Sequence, residues 1–520
     1  MAATEHTSMA SRALGAGAWT VGTRLAAKLI DLAMLLCLAR FLGPAEFGLV
    51  AMAMAAVFIV EALFDLPMAA ALIRVPALTP DMLHTAFTLS LLRGLVVGLL
   101  LLAVAWPLAA FNAEPRLIAL LAVLALAPVM RGLVNPRMVE YARALDFRPD
   151  AVLELSGKTV ALVVSIIVAV TTRSYWAIAA ATVCAPLVAT LLSYCIVPLR
   201  PRLTFVHWAR FSSLIGWNFV SQLGMALNWQ IDRLLLPRLT TATAFGEYAM
   251  GKQMSEIPMQ ALIQPLSRPV MQALASAGDA RGSRYLQLSR AVALLMAPVM
   301  GLALLWPEVL VRVALGPAWA PAAEWFRWIS AAALLGLPAM LMGPLAMTLD
   351  RTRWVAIRTL VELLVRLPLV WLGAVHFGIP GAIAGSAIAT AAGTIAALFI
   401  VRRLIATRLV PQLMTLWRPL IAMLPAGALL WLTKAEVMAA PGLTELLVRA
   451  VPLGLLYLLV YALGVLLAWQ LAGRPAGLEQ YLLDTIRTRF TRARTRRSPS
   501  AARTRASPTD AMEAHAKQPH

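Results

Sequence analysis

Arg24-Leu-Ala-Ala-Lys28-Leu-Ile-Asp31 opens the stretch that decides the fold. An apolar run follows, and then the turn Arg40-Phe41-Leu42-Gly43-Pro44-Ala45-Glu46-Phe47-Gly48. The segments on either side of Gly43-Pro44 are long enough to cross a bilayer core, which takes about 20 helical residues. Yet Arg24, Lys28 and Asp31 sit inside the first of them, spaced i, i+4 and i+7 on one helix face. A charge in hydrocarbon costs on the order of 2.5–3.5 kcal/mol on insertion scales, so such groups face a partner or a water-filled cavity. The pattern returns about two hundred residues later, as Ile231-Asp232 and Phe245-Gly246-Glu247-Tyr248-Ala249-Met250. A duplicated membrane bundle with charges in its interior reads as a transporter.

Composition agrees. Hydrophobic residues make up 61% and charged ones 13% of 520 residues, and the mean hydropathy is +0.78. No polar stretch is long enough for an aqueous domain, and the apolar runs are too continuous for a membrane barrel's alternation. The expected class is an all-α polytopic membrane protein. The net charge of +20 lies mostly in connections and in the tail, where topology places base, so nucleic acid is not an expected partner. Cys37, Cys184 and Cys195 all lie in apolar runs, which speaks against a disulfide framework.

Hydropathy marks about fourteen spans, at 17–40, 47–73, 85–107, 116–136, 152–171, 176–197, 212–237, 245–268, 289–311, 323–347, 355–376, 380–401, 417–433 and 446–470. Even-numbered connections hold arginines such as Arg137, Arg143, Arg200, Arg202, Arg281, Arg351, Arg402 and Arg403, while the odd ones are short and poor in base. This asymmetry predicts both termini in the cytoplasm and an even number of spans. Trp106, Trp176, Trp306, Trp319 and Trp371 fall at predicted outer ends, as an aromatic belt requires.

The repeat organises the rest. Phe47-Gly48 matches Phe245-Gly246 at a spacing of 198, Asp31 matches Asp232 at 201, and Trp106-Pro107 matches Trp306-Pro307 at 200. Leu145-Asp146 matches Leu349-Asp350 at 204, and Ala177-Ile178-Ala179 matches Ala382-Ile383-Ala384 at 205. Six spans per copy give both copies the same orientation, hence a parallel repeat. The expected organisation is a cytoplasmic segment 1–16, a first lobe 17–200, a second lobe 201–405, two extra spans within 406–472, and a disordered basic cytoplasmic tail 473–520.

The candidate site is the set of charges inside spans: Arg24, Lys28, Asp31, Glu61, Asp65, Lys158, Asp232, Arg233, Lys252 and Glu256. Spacing offers several pairings, including Lys28 with Glu61, Glu154 with Lys158, and Arg358 and Arg366 with Glu362. Arg24 and Lys28 are two cations against one adjacent acid, and an anionic ligand would complete that balance. No Walker loop, His-Glu-x-x-His or Cys/His cluster occurs, so neither an enzyme, a cofactor nor a metal is expected.

Ala39-Arg40-Phe41-Leu42-Gly43-Pro44-Ala45-Glu46-Phe47-Gly48-Leu49 resembles the turn of the Wzx-type polysaccharide flippases, the polysaccharide transport branch of the MOP exporter superfamily. Similar points recur at Ala70-Ala71-Leu72-Ile73-Arg74, at Asn228-Trp229-Gln230-Ile231-Asp232-Arg233 and at Leu315-Gly316-Pro317-Ala318-Trp319. The likeness departs at span seven, which reads Asp232-Arg233-Leu-Leu-Leu-Pro237 where the family usually has a glycine near Pro237. The resemblance implies the MOP flippase fold, with two six-helix lobes alternating around a cavity lined by spans one, two, seven and eight. It also implies a polyprenyl-pyrophosphate-linked oligosaccharide as cargo, moved outward for exopolysaccharide, capsule or O-antigen (lipopolysaccharide) biosynthesis. Membrane lipids and the pathway's polymerase and export machinery are the implied partners.

A cation-coupled drug or metabolite antiporter of the same superfamily is the alternative. It would want acidic cavity residues and few cations: Arg24, Lys28, Arg93 and Arg131 argue against it, while Glu61 and Asp65 fit it. A membrane enzyme of the pathway would need a large outer catalytic loop, and a passive scaffold would not account for buried repeated charges.

Overall fold

The computed structural model describes residues 2–64, 68–208, 216–474 and 480, and among these every regular element is helical. The α-helices are α1 (Ala2–Phe41), α2 (Pro44–Leu63), α3 (Met68–Arg74), α4 (Pro80–Asn112), α5 (Arg116–Leu124), α6 (Leu126–Gly132), α7 (Met138–Arg143), α8 (Arg148–Thr172), α9 (Trp176–Ile196), α10 (Gly216–Leu239) and α11 (Ala242–Ala275). They continue with α12 (Arg281–Leu305), α13 (Pro307–Ala314), α14 (Ala322–Leu334), α15 (Met342–Thr348), α16 (Arg353–Ile405), α17 (Leu409–Leu413), α18 (Trp417–Met438) and α19 (Leu443–Leu471).

Among the described residues eight helices are long and apolar enough to cross a membrane. The count is nine if Ala322–Leu334 and Leu337–Thr348, bent by 45°, form one span. The chain is therefore a multi-pass membrane protein. The count is lower than the fourteen windows for reasons visible in the residues. Arg24, Lys28 and Asp31 interrupt the apolar run of α1, and α11 carries Lys252, Glu256, Pro258, Pro265 and Pro269. The window at 116–136 divides at Ala125 into α5 and α6. The start of the window at 212–237 and nearly all of the tail lie outside the described residues.

One helix absorbs two windows. Within α16, Gly378 has φ 63° and ψ −142°, a conformation that only glycine adopts without strain. The limbs fold back on each other there. A Cβ on Gly373 or Gly381 would overlap the other's carbonyl group, and one on Gly385 would fall 2.5 Å from the Leu369 oxygen. Small residues thus let two apolar helices approach at backbone distance. Gly378 lies 205 residues after Arg173, which ends α8 at φ 48° before α9 packs back along it.

At the centre α2 packs along α10 and α11, while α1 leans on α8. Gly48 and Gly246 touch here. A Cβ on Gly48 would overlap the Ala242 oxygen, and one on Gly246 would overlap the Pro44 oxygen. The contact is reciprocal at a spacing of 198, the arrangement of a self-complementary two-fold interface. The surrounding core joins Leu49, Val57, Leu101, Leu120, Leu236, Phe245 and Val370.

Two of the expected belt tryptophans are core residues instead. Trp306 and Trp319 are 2% and 0% exposed. The Trp306 indole donates to the Leu430 oxygen at 2.7 Å, and the Trp319 indole donates to the Ala39 oxygen at 2.7 Å. A satisfied N–H makes full burial of an indole tolerable. The first of these bonds, with the Tyr457 and Tyr461 hydroxyls donating to Pro298 and Leu294, docks α18 and α19 onto α12 and α13.

Candidate functional site

The charges placed inside spans find partners that sequence spacing did not predict. Lys158 pairs with Asp31 of α1 rather than with Glu154 one turn away. Glu61 pairs with Arg131 of α6 rather than with Lys28. In both cases the packing of α1 on α8 and of α2 beside α6, not spacing along the chain, decides which charges meet. Asp65 lies outside the described residues.

The second cluster is more deeply buried. Asp232 is 3% exposed and accepts from Lys252 Nζ at 2.6 Å and from the buried Tyr248 hydroxyl. Lys252 also donates to the Trp229 carbonyl oxygen at 3.2 Å, which ties α10 to α11. Arg233 lies 3.8 Å from Glu256. From α16, Arg366 and Arg358 both reach Glu362, at 2.7 and 3.1 Å. Arg366 also donates to the Asn228 backbone oxygen at 2.9 Å and to Thr390 at 3.2 Å. Buried ions persist only when each is paired and hydrogen-bonded, and this network meets that condition for Asp232 and Glu362.

Lys28 and Arg24 stand apart. Both are exposed, one helical turn from each other on α1, and among the described residues no carboxylate pairs with either. Lys28 Nζ donates to Gln260 Oε1 of α11 at 3.1 Å, so its head reaches across to the helix that carries Lys252 and Glu256. At its Gly43 end, by contrast, α1 is packed closely. Arg40 donates to the Val313 oxygen at 3.0 Å, and Leu35, Leu36 and Ala39 meet Met250, Trp319 and Phe326. The ions named here pair within residues 31–158 or within residues 232–366.

A polar clip fixes the connections near that closed end. Glu46, in the first turn of α2, accepts from the Tyr175 amide at 2.8 Å and pairs with Arg116 at 3.2 Å. Arg116 also binds Glu114 at 2.8 Å. That hydrogen bond is the main reason the Glu114 carboxyl lies below its ordinary range, against the opposing effect of burial.

Sequence reasoning left out Tyr248, Gln260 and Thr390 as site members. A tyrosine, an amide and a threonine carry no charge anomaly in an apolar run, so nothing flagged them. The Arg358, Glu362 and Arg366 spacing was legible as an ion-pair run, but its link to α10 was not. Among the described residues no group of three His, Cys, Asp or Glu side chains could hold a metal ion.

The fold is similar to that of a lipid II flippase MurJ in an inward closed conformation, with a TM-score of 0.67 at 14% identity, covering 86% of this chain and 98% of that one. It is also similar to an inward-facing multidrug resistance MATE family transporter of the MOP superfamily, at a TM-score of 0.55 and 12% identity, over 73% and 94% of the two chains. Among curated proteins, the succinoglycan biosynthesis transport protein ExoT of Rhizobium meliloti (strain 1021) is 25% identical over 317 residues. The match covers 59% of this chain and 61% of that relative's length. The family model described as polysaccharide biosynthesis protein matches residues 37–324, from the end of α1 into α14. The chain belongs to this polysaccharide biosynthesis family, and its helical fold is similar to those of the flippase and the transporter just named.

Proposed function

We propose that the protein moves a polyprenyl-pyrophosphate-linked oligosaccharide outward across the bacterial inner membrane by alternating access, for exopolysaccharide, capsule or O-antigen assembly. One observation carries this reading. Asp31, Glu61, Asp232, Glu256 and Glu362 are each taken by a cation, while Arg24 and Lys28 remain exposed with no carboxylate partner among the described residues. Two cations one turn apart, about 5–6 Å between Cβ atoms, suit a diphosphate. The relative ExoT, a transport protein of succinoglycan biosynthesis, supports the exopolysaccharide class.

In this reading the chain has fourteen spans in two six-helix lobes, 17–200 and 201–405, related by an axis along the membrane normal. Two added spans within 406–472 follow, with both termini cytoplasmic and the tail 473–520 basic. The reciprocal Gly48–Gly246 contact and the Arg173 and Gly378 hairpins support the repeat. Asp31, Glu61, Lys158, Asp232, Arg233, Lys252 and Glu256 then hold the cavity walls together, while Arg24 and Lys28 meet the cargo. The antiporter alternative loses ground, because Glu61 is engaged by Arg131.

Arg24→Ala/Lys28→Ala is the test. Polymer export is expected to fall at least tenfold with membrane abundance unchanged and lipid-linked repeat units accumulating in the cells. Normal export in that variant would sink the assignment.

A further inference from the structure

Trp229 is 55% exposed, yet it lies ten residues before the end of α10 at Leu239. Tryptophans that anchor a span at the membrane surface sit near helix ends. Here the flanking residues on the same helix face are Met225, 45% exposed, and the buried Asp232, and the Trp229 carbonyl holds the Lys252 ammonium. An indole in this setting is exposed beside a polar ion network rather than at a headgroup belt.

The repeat sharpens its position. At the 201 spacing that relates Asp31 to Asp232, Trp229 falls on Lys28 and Met225 on Arg24. In both helices these two residues are exposed. The first copy therefore offers two cations where the second offers a planar aromatic and a soft thioether. Across from Lys28, Gln260 of α11 makes the 3.1 Å contact already described, and Gln264, one turn further, is exposed. Because Gln260 touches Lys28 and Lys252 touches Trp229, α11 borders both faces.

We propose that Trp229, Gln260 and Gln264 form a saccharide subsite facing the Arg24 and Lys28 diphosphate site. The inference rests on the functional reading above and divides the cargo between the two copies. A pyranose has an apolar C–H face and a rim of hydroxyls. An indole covers the former over a large area at little entropic cost, and an amide offers both a donor and acceptors to the latter. Asp232, Arg233, Lys252 and Glu256 neutralise one another beside Trp229, and the Arg358 and Arg366 guanidinium groups are bound to Glu362. With its charges engaged, this wall suits a sugar better than the diphosphate. Met225 adds an adaptable edge that tolerates different rings.

The test titrates the purified full-length protein in nanodiscs with two probes. One is polyprenyl pyrophosphate without sugar; the other is lipid-linked oligosaccharide extracted from cells lacking the protein. Trp229→Ala is expected to weaken the glycosylated probe about tenfold and to leave the bare diphosphate within about twofold. Gln264→Ala is expected to cost about threefold on the glycosylated probe alone, at the scale of one hydrogen bond. Trp229→Phe, which keeps an aromatic face, should retain most of the affinity and guards against a folding defect. Equal weakening of both probes by Trp229→Ala and Trp229→Phe, or no weakening of either, overturns the subsite. Arg24→Ala/Lys28→Ala serves as the separate arm: unchanged binding of the bare diphosphate strikes the functional reading, whatever Trp229 does. A wild-type protein that binds neither probe overturns both.

Discussion

Gly48 and Gly246 hold α2 and α11 backbone to backbone, such that a Cβ on either would lie 3.0 Å from the other's amide nitrogen. Neither position has a flexible side chain opposite that could yield, because the nearest atoms are all main chain. Gly48→Ala or Gly246→Ala is therefore expected to push the helices apart at a cost of about 1–3 kcal/mol. Thermal unfolding of the purified variants checks the loss, and the double variant should cost less than the sum because one displacement relieves both clashes.

Gly378 tests a different mechanism. Open space surrounds its would-be Cβ, so Gly378→Ala isolates backbone strain, expected at about 1–3 kcal/mol. Gly381→Ala adds a collision with the Gly373 carbonyl and should lower the melting temperature further. Equal stability of Gly378→Ala and wild type would refute the hairpin geometry.

Asp232 and Lys252 are both buried, at 5% and 12% side-chain exposure. Lys252→Met leaves Asp232 without its main cation, and the expected loss is about 3–5 kcal/mol. Asp232→Asn/Lys252→Met should recover much of it, because a neutral pair needs no counter-charge. Chemical unfolding of both variants separates a pairwise ionic role from simple packing.

Acid should loosen the connection between α4 and α5. The Glu114 carboxyl is held below its ordinary value chiefly by the Arg116 hydrogen bond. A lowered carboxylate contributes stability that is present above its unfolded value and lost as pH falls through the folded one. Amide exchange at Ala113, Glu114 and Arg116 should quicken over that acidic window, and Glu114→Gln should remove the step.

The class and the hairpin turns were legible in the sequence because length, apolar runs and Gly-Pro punctuation report local physics. The charged residues of the candidate site were legible for the same reason, since Arg24 or Asp232 within an apolar run is an anomaly at once. Their partners were not. Lys158 chose Asp31 over Glu154, and Glu61 chose Arg131 over Lys28, because helix packing sets which faces meet. Trp306 and Trp319 misled for a related reason: an aromatic near a span end satisfies the belt pattern whether it points outward or, as here, inward to a carbonyl. Fewer described helices than apolar windows pass as membrane-crossing where charges and prolines enter the run, as in α1 and α11.

The partition of ion pairs bears on how the protein is made. A nascent chain enters the membrane from its N-terminus, and an unpaired charge left in lipid during synthesis is costly. The partners of Asp31 and Glu61, Lys158 and Arg131, are both synthesised before residue 200. Asp232, Glu256 and Glu362 wait only for cations between Arg233 and Arg366. Apart from Arg24 and Lys28, the charges named here are thus balanced within the stretch of chain made with them, and the two stretches meet through the Gly48–Gly246 approach, the Trp319 indole and the Arg40–Val313 and Lys28–Gln260 hydrogen bonds.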